Sequence, residues 1–592
     1  MDLIIKWSAY WTYSIGVFLF INYLNIYFLL SSVTDYLTNN LQDGQTYDYV
    51  IVGAGSAGIT LAAKLIDAGH KIIIIEAGGP APTFADIPVL APLFQLSNYD
   101  WQYKTIPQNH SCKALINNQS LWPMGKILGG SSRLNYMAYV EGHQDDYRWF
   151  DDYHNHKLSN DSVTDNPSWC SELCEAILQS AEEINQSKKI YESFDFNKVK
   201  LTINGGERWS TDRLLKPRYG NNLKVVTHAL VDKIKFKSNR AEAVELIKWG
   251  KRFVVYGSKG VIISAGAIGT PKLLMLSGIG PRNQLENLKI KVISDLPVGK
   301  NLVDHILTGI DLVILDKSLS ISVPQLLKPT SAFNYFLSRQ GPWTSAGIEV
   351  VGTIAKNSSP DLQFMVIPVG VSQDNGVVLR KAMGIKDKVF DEYFAPLAYK
   401  TAVTIAPVLL HPKSTGEVKL KSSDPLDDVI INPNYLASKD DVSVLIKGLR
   451  LIEKLISTEA MKALGASLYK KPFPGCENLN FGTDDYWECY VRQLTLTSYH
   501  PAGTCKLGSV VNNSFRVLGT KNLYVVDASV LPSLPSGNIN AAVMMIASKA
   551  ADLIIKSANK LNNFHIKNIK SCTNNYSNIL NNFNDDVCLK SA

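Results

Sequence analysis

The chain has 592 residues, which is enough for two or more domains with large cores. Of these, 46% are hydrophobic and 19% are charged, as in an ordinary globular protein. The net charge of +7 is small for this length and the basic residues are scattered, so the sequence gives no support to nucleic-acid binding.

The N-terminal segment 1–34 differs from the rest of the chain. Lys6 is followed by an uncharged run over 7–34, and the centre of that run, 15–30, is apolar. Such a segment directs a chain into the secretory pathway, either as a cleaved signal or as a membrane anchor. We expect cleavage near 31–34 and a secreted protein; a retained membrane anchor is the alternative.

Sequons and cysteines agree with secretion. N-x-S/T sequons, which mark a secreted glycoprotein, occur at Asn109, Asn118, Asn160, Asn185, Asn357, Asn512 and Asn575. Some of the eight cysteines are expected to form disulfides, and Cys572 with Cys588 is one plausible pair. Cys170 and Cys174 have the spacing of helix neighbours. Because no second pair with metal-ligand spacing follows, we expect no metal site.

The segment 47–79 contains the strongest motif. An apolar run typical of a strand, 47–52, is followed by Gly53, Gly55 and Gly58 at G-x-G-x-x-G spacing. A helical pattern comes next, and then a second buried-type strand over 72–75. This order predicts the strand–turn–helix–strand unit that binds dinucleotides.

The glycines, the helix start and the final acid of that unit each have a physical role. Gly53 allows the tight turn, Gly55 lets the backbone approach a pyrophosphate, and Gly58 lets helix and strand pack closely. The helix N-terminus attracts the phosphates. Glu76 ends the second strand, where a carboxylate accepts hydrogen bonds from ribose hydroxyls and disfavours the 2′-phosphate of NADP. The motif alone fits NAD and FAD equally.

Two further segments place small residues where a ligand would lie. The segment 122–142 is rich in Gly and Ser, so its backbone can wrap around a flat, phosphate-bearing ligand. Strand patterns over 223–237 and 243–257 predict hairpins, and a strand over 259–265 leads into 264–280. In that segment we expect Thr270 to cap a helix and Pro271 to be its first residue.

The C-terminal part returns to the same theme. A loop of small residues, 497–508, carries a single histidine, and a strand over 523–526 ends at Asp527. A loop and a strong helix occupy 531–554, and the Asn-rich tail 560–592 is expected to be loose. No G-x-S-x-G element lies between a strand and a helix, which argues against a serine hydrolase.

The four segments 47–79, 122–142, 264–280 and 497–554 together resemble the glucose–methanol–choline (GMC) oxidoreductase family. The resemblance extends over roughly 46–556 and is greatest to the secreted animal branch related to FAD glucose dehydrogenase. It implies an α/β fold with a Rossmann-like FAD-binding domain assembled from discontinuous segments. It also implies a substrate domain with an antiparallel sheet, and FAD as the cofactor.

The predicted organisation follows from this resemblance. The domains are a signal or anchor (1–34), three FAD-domain segments (46–142, 206–300 and 496–558), a lid or connecting region (143–205), a substrate domain (301–495) and the tail (559–592). The connecting region is short and lacks the glycine-rich segment usual before the substrate domain of the family, so the substrate cannot be read from it.

The resemblance also implies residue roles. The pyrophosphate would be held by Gly53, Gly55, Ser56 and Gly58, and the adenosine ribose by Glu76. The flavin side would be lined by Gly130, Ser131 and Asn135, the adenine by Val231, and the rest of the site by Asp527, Ala528 and Asn538. Leu134 stands where some members attach the flavin covalently through a His, so we expect non-covalent FAD.

Two residues are predicted to act on the substrate. His500 matches the active-site His of the family, and a neutral imidazole suits a base that removes the proton of an alcohol. Asn540 matches the second active-site position and would orient the same hydroxyl, although it could serve only as a helix cap. Glu349 could reach the pocket, but a structural or solvated role is favoured.

The predicted function is FAD-dependent oxidation of the CH–OH group of a small alcohol, a sugar or a cyanohydrin such as mandelonitrile. Oxygen or a quinone-like molecule would accept the electrons. Two alternatives remain, a hydroxynitrile lyase with a redox-silent flavin and a catalytically inactive family member. We expect no nucleic-acid partner and, unless the N-terminal segment is retained, no membrane partner.

Overall fold

The computed structural model describes residues 2–38, 41–150, 164–165, 169–186, 193–220, 222–345, 347–355 and 359–579. In this part of the chain the α-helices are α1 (Asp2–Thr38), α2 (Ser56–Asp67), α3 (Glu172–Gln186), α4 (Gly266–Leu276), α5 (Arg282–Asn287), α6 (Val323–Leu326), α7 (Pro329–Ser338), α8 (Leu379–Met383), α9 (Asp387–Val389), α10 (Lys439–Ile456), α11 (Glu459–Lys462), α12 (Asp484–Gln493) and α13 (Ile539–Ile579).

Two large sheets contain most of the strands. In chain order these strands are β1 (Gln45–Val52), β2 (Ile72–Ile75), β3 (Ser193–Lys198), β4 (Leu223–Val226), β5 (Leu230–Lys237), β6 (Arg240–Lys248), β7 (Lys251–Ile263), β8 (Ile306–Leu307), β9 (Val313–Leu315), β10 (Val350–Ala355), β11 (Leu362–Ile367), β12 (Thr401–Leu409), β13 (Ser467–Leu468), β14 (Leu496–Thr497) and β15 (Leu523–Val525).

Smaller sheets join the loops around them. One has three strands, Lys300–Leu302, Gly416–Leu420 and Val429–Asn432. The others are the pairs Tyr103–Lys104 with Leu121–Trp122, Ala138–Tyr139 with Lys200–Leu201, Ile203–Asn204 with Glu207–Arg208, and Ile279–Gly280 with Ser294–Asp295.

The first large sheet is the predicted dinucleotide-binding sheet. It has seven strands in the order β4-β2-β1-β7-β6-β5, with β15 paired to β7. Strands β4, β2, β1, β7 and β15 run parallel, and β5 to β7 form an antiparallel meander. Val52 pairs with Ile75 on one side and Ile263 on the other, so three strands end at one edge. Ligands of such sheets bind in the crevice beyond these carboxyl ends.

The parallel strands come from three distant parts of the chain, as predicted. Strand β2 consists of four isoleucines that are all buried, which is typical of a strand covered on both faces. On one face α2 packs against α13, where Lys64 Nζ donates to Ser548 Oγ at 2.9 Å and pairs with Asp552. The α/β fold class is confirmed.

The second large sheet is antiparallel and has eight strands in the order β13-β9-β12-β11-β10-β3, with β8 paired to β12 and β14. Its edge strand β3 lies in the region that we predicted to be a lid or connection. This segment forms a strand because its apolar residues alternate with polar ones: Phe194 and Phe196 are buried, and Phe196 stacks on Phe364 at 5.8 Å.

Helix α4 begins at Gly266, so the prediction that Thr270 caps it is wrong. The Thr270 hydroxyl is already engaged, because it accepts from Ala265 N at 3.1 Å and donates to Asp527 Oδ2 at 2.5 Å. Pro271 therefore lies inside the helix, where it cannot donate to the carbonyl of Ala267. Thr504 Oγ1 donates to that carbonyl instead, at 2.6 Å.

Two other elements are longer than predicted. Strand β7 runs from the second half of the predicted hairpin segment 243–257 through most of the predicted strand 259–265 without a break, in part because Gly257 and Gly260 let a bulge form opposite β1. Helix α13 continues through 560–579, a stretch that we expected to be loose.

The described residues contain two disulfides, Cys170–Cys174 and Cys476–Cys489. The first uses both thiols that a metal site would have needed. Cys588 lies outside the described residues, so its pairing with Cys572 stays a prediction. The sequons at Asn160 and Asn357 also lie outside them.

Helix α1 packs on the dinucleotide-binding domain. Phe20 contacts the rings of Phe84 and Phe94 at 6.0 and 6.1 Å, and Leu24 is 1% exposed. Asp35 pairs with Lys248 near the end of the helix. The stretch Ser14–Thr38 is long and apolar enough to cross a membrane by length and composition.

Candidate active site

A cavity of about 560 Å³ lies at the carboxyl ends of β1, β2 and β7 and extends towards the antiparallel sheet. This volume is in the range of cofactor and substrate sites. Its wall contains residues of all four segments that the sequence singled out, with Ser264, Ala265 and Gly266 from the third segment. The residues with predicted roles in the wall are Gly53, Gly55, Ser56, Glu76, Gly130, Ser131, Leu134, Asn135, Val231, His500, Asp527, Ala528, Asn538 and Asn540.

The three glycines of the first motif have different surroundings. Gly53 has φ of +101°, and a Cβ there would lie 2.4 Å from Ser264 O, so this turn requires glycine. A Cβ on Gly58 would lie 2.1 Å from Gly53 O, so Gly58 permits close packing of α2 and lies behind the cavity wall. Gly55 faces the cavity opposite Gly130, at the start of α2.

The start of α2 is open to the cavity. Within the described chain no side chain caps it, and Gly55, Ser56 and Ala57 line the cavity. Unpaired N–H groups at a helix start, together with the helix dipole, favour an anion. Because α4 and α13 also begin at this wall, with Gly266 and Ile539, three helix starts surround one space.

Glu76 is held by backbone groups at the end of β2. Its Oε2 accepts from Ala54 N and its Oε1 accepts from Gly78 N, both at 2.8 Å. Burial raises the pKa of Glu76 to about 7, against the effect of these donors and of Lys126. Each carboxylate oxygen keeps a lone pair, which suits a carboxylate that accepts from ribose hydroxyls.

The second glycine-rich segment forms the facing wall. A Cβ on Gly130 would lie 2.7 Å from Gly55 Cα, so these two loops touch through backbone alone. Ser131 Oγ accepts from Gly125 N at 3.2 Å, and Asn135 Oδ1 accepts from the buried Arg208 at 2.7 Å. These bonds hold both polar side chains at the wall.

Asp527 connects the first sheet to α4. Its Oδ2 accepts from Gly266 N at 2.9 Å and its Oδ1 accepts from Ser529 N at 2.8 Å. The side chain is buried, and this burial raises its pKa. Asp527 therefore fixes the start of α4 at the cavity, beside Ala528.

His500 lies in the wall between two polar side chains. Its Nδ1 is 3.0 Å from His305 Nδ1, and its Nε2 is 3.2 Å from Asn538 Nδ2. Burial lowers the pKa of His500 to about 3, so the ring is neutral at physiological pH. A neutral ring beside a cavity can accept a proton.

A buried carboxylate holds the loop that carries His500. Asp304 accepts from His500 N at 2.8 Å, from Thr497 Oγ1 at 2.6 Å and from the hydroxyl of Tyr435. Burial raises the pKa of Asp304 to about 7, and these donors oppose the rise. Asp304 and His305 were missed from sequence. The available signal was two adjacent ionisable residues inside the apolar stretch LVDHIL, 302–307.

The two asparagines at the start of α13 differ in position. Asn538 is beside His500, and its Oδ1 is buried without a hydrogen-bond partner among the described residues. Asn540 Oδ1 accepts from Ser56 Oγ at 2.6 Å, next to the start of α2. The structure thus brings Asn538 to the predicted active-site position, and Asn540 to the predicted pyrophosphate position.

Glu349 lies outside the cavity wall. It is buried and accepts from Ser171 N at 3.0 Å and from Ser171 Oγ at 2.5 Å. Burial raises its pKa to about 7. These contacts agree with the structural role favoured from the sequence.

The wall fits FAD in this structure. The helix starts suit two phosphates, and Glu76 suits a ribose. Gly55 and Gly130 have no side chains to fill the space between the two loops, which leaves room for an extended ligand. Leu134 lines the wall and has no nucleophilic atom, so non-covalent binding stays our prediction.

The chain is similar to known proteins over most of its length. The N-terminal sequence profile of the GMC oxidoreductases matches 47–307 and the C-terminal profile matches 412–547. The chain is 32% identical over 574 residues to glucose dehydrogenase [FAD, quinone] of Drosophila melanogaster, covering 86% of each chain. It is 32% identical to ecdysone oxidase of Bombyx mori over 561 residues, which covers 87% of this chain and 82% of the relative.

Solved structures show the same fold. Pyridoxine 4-oxidase of Mesorbium loti has a TM-score of 0.70 and 25% identity, covering 86% of this chain and 98% of its own. A formate oxidase variant of Aspergillus oryzae has a TM-score of 0.74 and 24% identity, covering 88% and 100%. The chain therefore belongs to the GMC oxidoreductase family, whose members are FAD-dependent alcohol oxidoreductases.

Proposed function

We propose that this protein oxidises the CH–OH group of a small, mainly apolar alcohol, with His500 as the base. The observation that carries the proposal is the position of His500, which is buried, neutral and oriented by His305 and Asn538 at the wall of the FAD cavity. The proton of the alcohol requires a base within hydrogen-bond reach, and His500 meets this condition.

The neighbours of His500 set its tautomer. In the amide orientation of the structure, Asn538 Nδ2 donates to Nε2, so Nε2 carries the lone pair. Nδ1 then carries the hydrogen and donates to His305 Nδ1. Nε2 is therefore the atom that takes the substrate proton, and His305 stabilises the imidazolium that results.

Asn538 takes the orienting role that we assigned to Asn540 from the sequence. Its unpartnered Oδ1 and its amide hydrogens can bond the substrate hydroxyl beside His500. FAD, when bound, supplies the acceptor for the hydride. The cofactor would be held by the residues predicted for it, with Asn540 and Ser56 together at the pyrophosphate.

The substrate end of the cavity favours an apolar compound. Its wall there is mainly apolar, with few polar side chains (Ser345, Asp374 and Thr404) among Leu307, Ile310, Ile348, Met365, Ile367, Val369 and Val371. A sugar would leave its hydroxyls without partners against this wall, and unpaired buried polar groups are costly. Apolar alcohols, including an aromatic cyanohydrin, are therefore preferred over glucose.

The names of two relatives bear on the electron acceptor, and the N-terminal helix bears on the location. A quinone is the acceptor in the name of the Drosophila glucose dehydrogenase, and the alcohol dehydrogenase [acceptor] of Pseudomonas putida is named for an unspecified acceptor. Oxygen is the alternative. Helix α1, the two disulfides and the sequons support entry into the secretory pathway.

The test is an anaerobic absorbance titration of the purified yellow protein with apolar alcohols, glucose and mandelonitrile. Bleaching by an apolar alcohol, restored by air or by a quinone, would support the proposal and identify the acceptor. An unbleached flavin with release of aldehyde and cyanide from mandelonitrile would replace it with the lyase. Bleaching by glucose alone would overturn the proposed substrate class.

Two histidine variants assign the base. His500→Ala should keep bound flavin and lose turnover by about 100-fold or more, as general-base catalysis contributes. His110→Ala changes an exposed histidine outside the cavity and is the matched control. Near-normal turnover by His500→Ala would remove His500 from the mechanism.

A further inference from the structure

We propose that α1 remains attached in the mature protein and docks the protein on a lipid bilayer. The bilayer-binding surface consists of the outward-facing apolar residues of α1 together with the exposed apolar residues of α7. This surface is independent of the reaction. Only its consequence for substrate entry, given below, rests on the proposed function.

The inner face of α1 belongs to the fold. Its buried residues Val17 and Leu24 and its half-buried residues Phe20 and Phe28 recur every three or four positions, which is the stripe of a helix packed on a protein. Phe28 contacts the rings of Tyr99 and His228, both at 5.6 Å. Cleavage near 31–34 would remove these contacts and uncover the surface beneath.

A buried ion pair fastens the end of the helix. Asp35 pairs with Lys248, whose side chain is 1% exposed, and also accepts from Trp249 Nε1 at 3.0 Å and Thr227 Oγ1 at 3.2 Å. A lysine this buried requires its carboxylate partner. The pair lies one residue beyond the predicted cleavage region, so the preceding helix is positioned by the folded domain.

The outer face of α1 is apolar and uncharged. Phe18, Leu19, Ile26, Leu29 and Leu30 are each more than half exposed. The sequence has no Asp, Glu, Lys or Arg over 7–34. A helix on the surface of a soluble protein carries charged residues on its outer face, whereas a helix that is apolar all round is covered by protein or lipid.

We infer that lipid covers the outer face of α1 and that the helix lies along the surface of the bilayer. The stretch Ser14–Thr38 is long and apolar enough for the hydrocarbon region of a membrane. Because its inner face is packed on the domain from Val17 to Asp35, the helix lies in the membrane surface and does not cross it.

A second exposed apolar element is connected to the first. Phe333, Phe336 and Leu337 of α7 are more than half exposed. Phe336 contacts Trp343 at 5.9 Å, and the turn Pro342–Thr344 packs on the turn Pro88–Phe94, which also contacts α1. These contacts link α7 to α1 through the turns between them.

The cavity reaches the surface beside α7. Leu327 lines the cavity and is 37% exposed, and Trp343 lines it as well. If the substrate is an apolar alcohol, as proposed above, docking at this surface lets the alcohol enter the cavity directly from the lipid.

The experiment uses the full-length protein produced in a secreting eukaryotic cell, purified without detergent. Mass spectrometry identifies the mature N-terminus, and flotation with phosphatidylcholine vesicles measures binding. We expect peptides from 14–38 to be present and the protein to float with the vesicles. A mature chain that starts after residue 34 would overturn the proposal, as would an intact chain that does not float.

Matched variants locate the binding surface. Leu29→Gln with Leu30→Gln should weaken vesicle binding by about 100-fold, because each buried leucine contributes roughly tenfold. Leu426→Gln changes an exposed leucine outside the surface and should bind normally. Flavin absorbance and melting temperature, which these exposed positions do not affect, verify folding.

Two other results would overturn the proposal. Equal binding by the double variant and Leu426→Gln would show that α1 does not contact lipid. A dimer in vesicle-free buffer that the double variant disrupts would show that a second copy covers the outer face of α1. Because flotation needs no turnover, failure of the proposed reaction leaves this test intact.

Discussion

At the residue scale, the candidate site depends on how burial controls a few polar side chains. His500 and His305 share one hydrogen bond between their Nδ1 atoms, so their protonation states are coupled. Asp304 holds the backbone of His500. These contacts produce a base that is neutral and has one fixed tautomer, whereas a surface histidine would be partly protonated near pH 6.5 and would exchange between its two tautomers.

The first prediction concerns separate alanine substitutions of the two asparagines at the start of α13. Asn538→Ala should keep FAD and reduce kcat by about 10- to 100-fold, since it removes the group that orients the hydroxyl. Asn540→Ala should mainly weaken FAD retention, because Asn540 bonds Ser56. Turnover and the flavin-to-protein absorbance ratio measure both effects. The opposite pattern would return the active-site role to Asn540.

The acid dependence of turnover is a second prediction. Burial lowers the pKa of His500 to about 3 from an ordinary 6.5, so the base stays unprotonated as pH falls through 6.5. A profile of kcat/KM should therefore show no loss attributable to His500 between about pH 5 and pH 8. An inflection near 6.5 that disappears in His500→Ala would contradict this.

The same lowered pKa has a consequence for stability. The unfolded chain binds a proton at His500 below its ordinary pKa of 6.5, whereas the folded chain does so only near 3. The unfolding free energy should therefore decrease as pH falls from 6.5 towards 3. His500→Gln, compared by urea denaturation at several pH values, should show a weaker decrease.

At the element scale, the turn between β1 and α2 is the most constrained part of the site. Gly58→Ala would place a Cβ 2.1 Å from Gly53 O and 3.3 Å from Ile51 Cγ2, so α2 must move away from β1. We expect the unfolding free energy to fall by about 1–3 kcal/mol and FAD retention to drop.

The matched control for this element is Gly220→Ala. Apart from its neighbours in the chain, no atom of the described residues lies within 4 Å of a Cβ placed on Gly220, and its backbone needs no left-handed conformation. Urea denaturation and the flavin-to-protein absorbance ratio should therefore stay close to those of the unchanged protein. If both alanine variants behaved alike, close packing of α2 would not be what Gly58 provides.

At the scale of the whole molecule, the cavity lies between the two sheets, and FAD, when bound, would contact segments that are far apart in the chain. A ligand that binds only the folded state stabilises it by about 2.7 kcal/mol at 100 times its Kd. Adding FAD to flavin-depleted protein should therefore raise the melting temperature. FMN, which lacks the adenosine that Glu76 and Val231 are predicted to hold, should raise it less. An equal effect would contradict an adenosine site.

Much of the fold was predictable from the sequence. The β1–α2–β2 unit and the discontinuous parallel sheet were predicted close to their observed bounds. These elements follow from glycine spacing and from apolar periodicity, which act over a few adjacent residues. Strand β3 was missed because its two phenylalanines stand in a polar, Asn-rich region.

The sequence by itself therefore determined the dinucleotide motif, the family resemblance and His500. Only the tertiary structure decided that Asp304 and His305 surround His500, that Asn538 faces it, and that α1 has a buried inner face. The physical reason is distance along the chain. A turn or helix is specified by neighbouring residues, whereas His305 and His500 meet across 195 positions, and only packing of the two sheets brings them together.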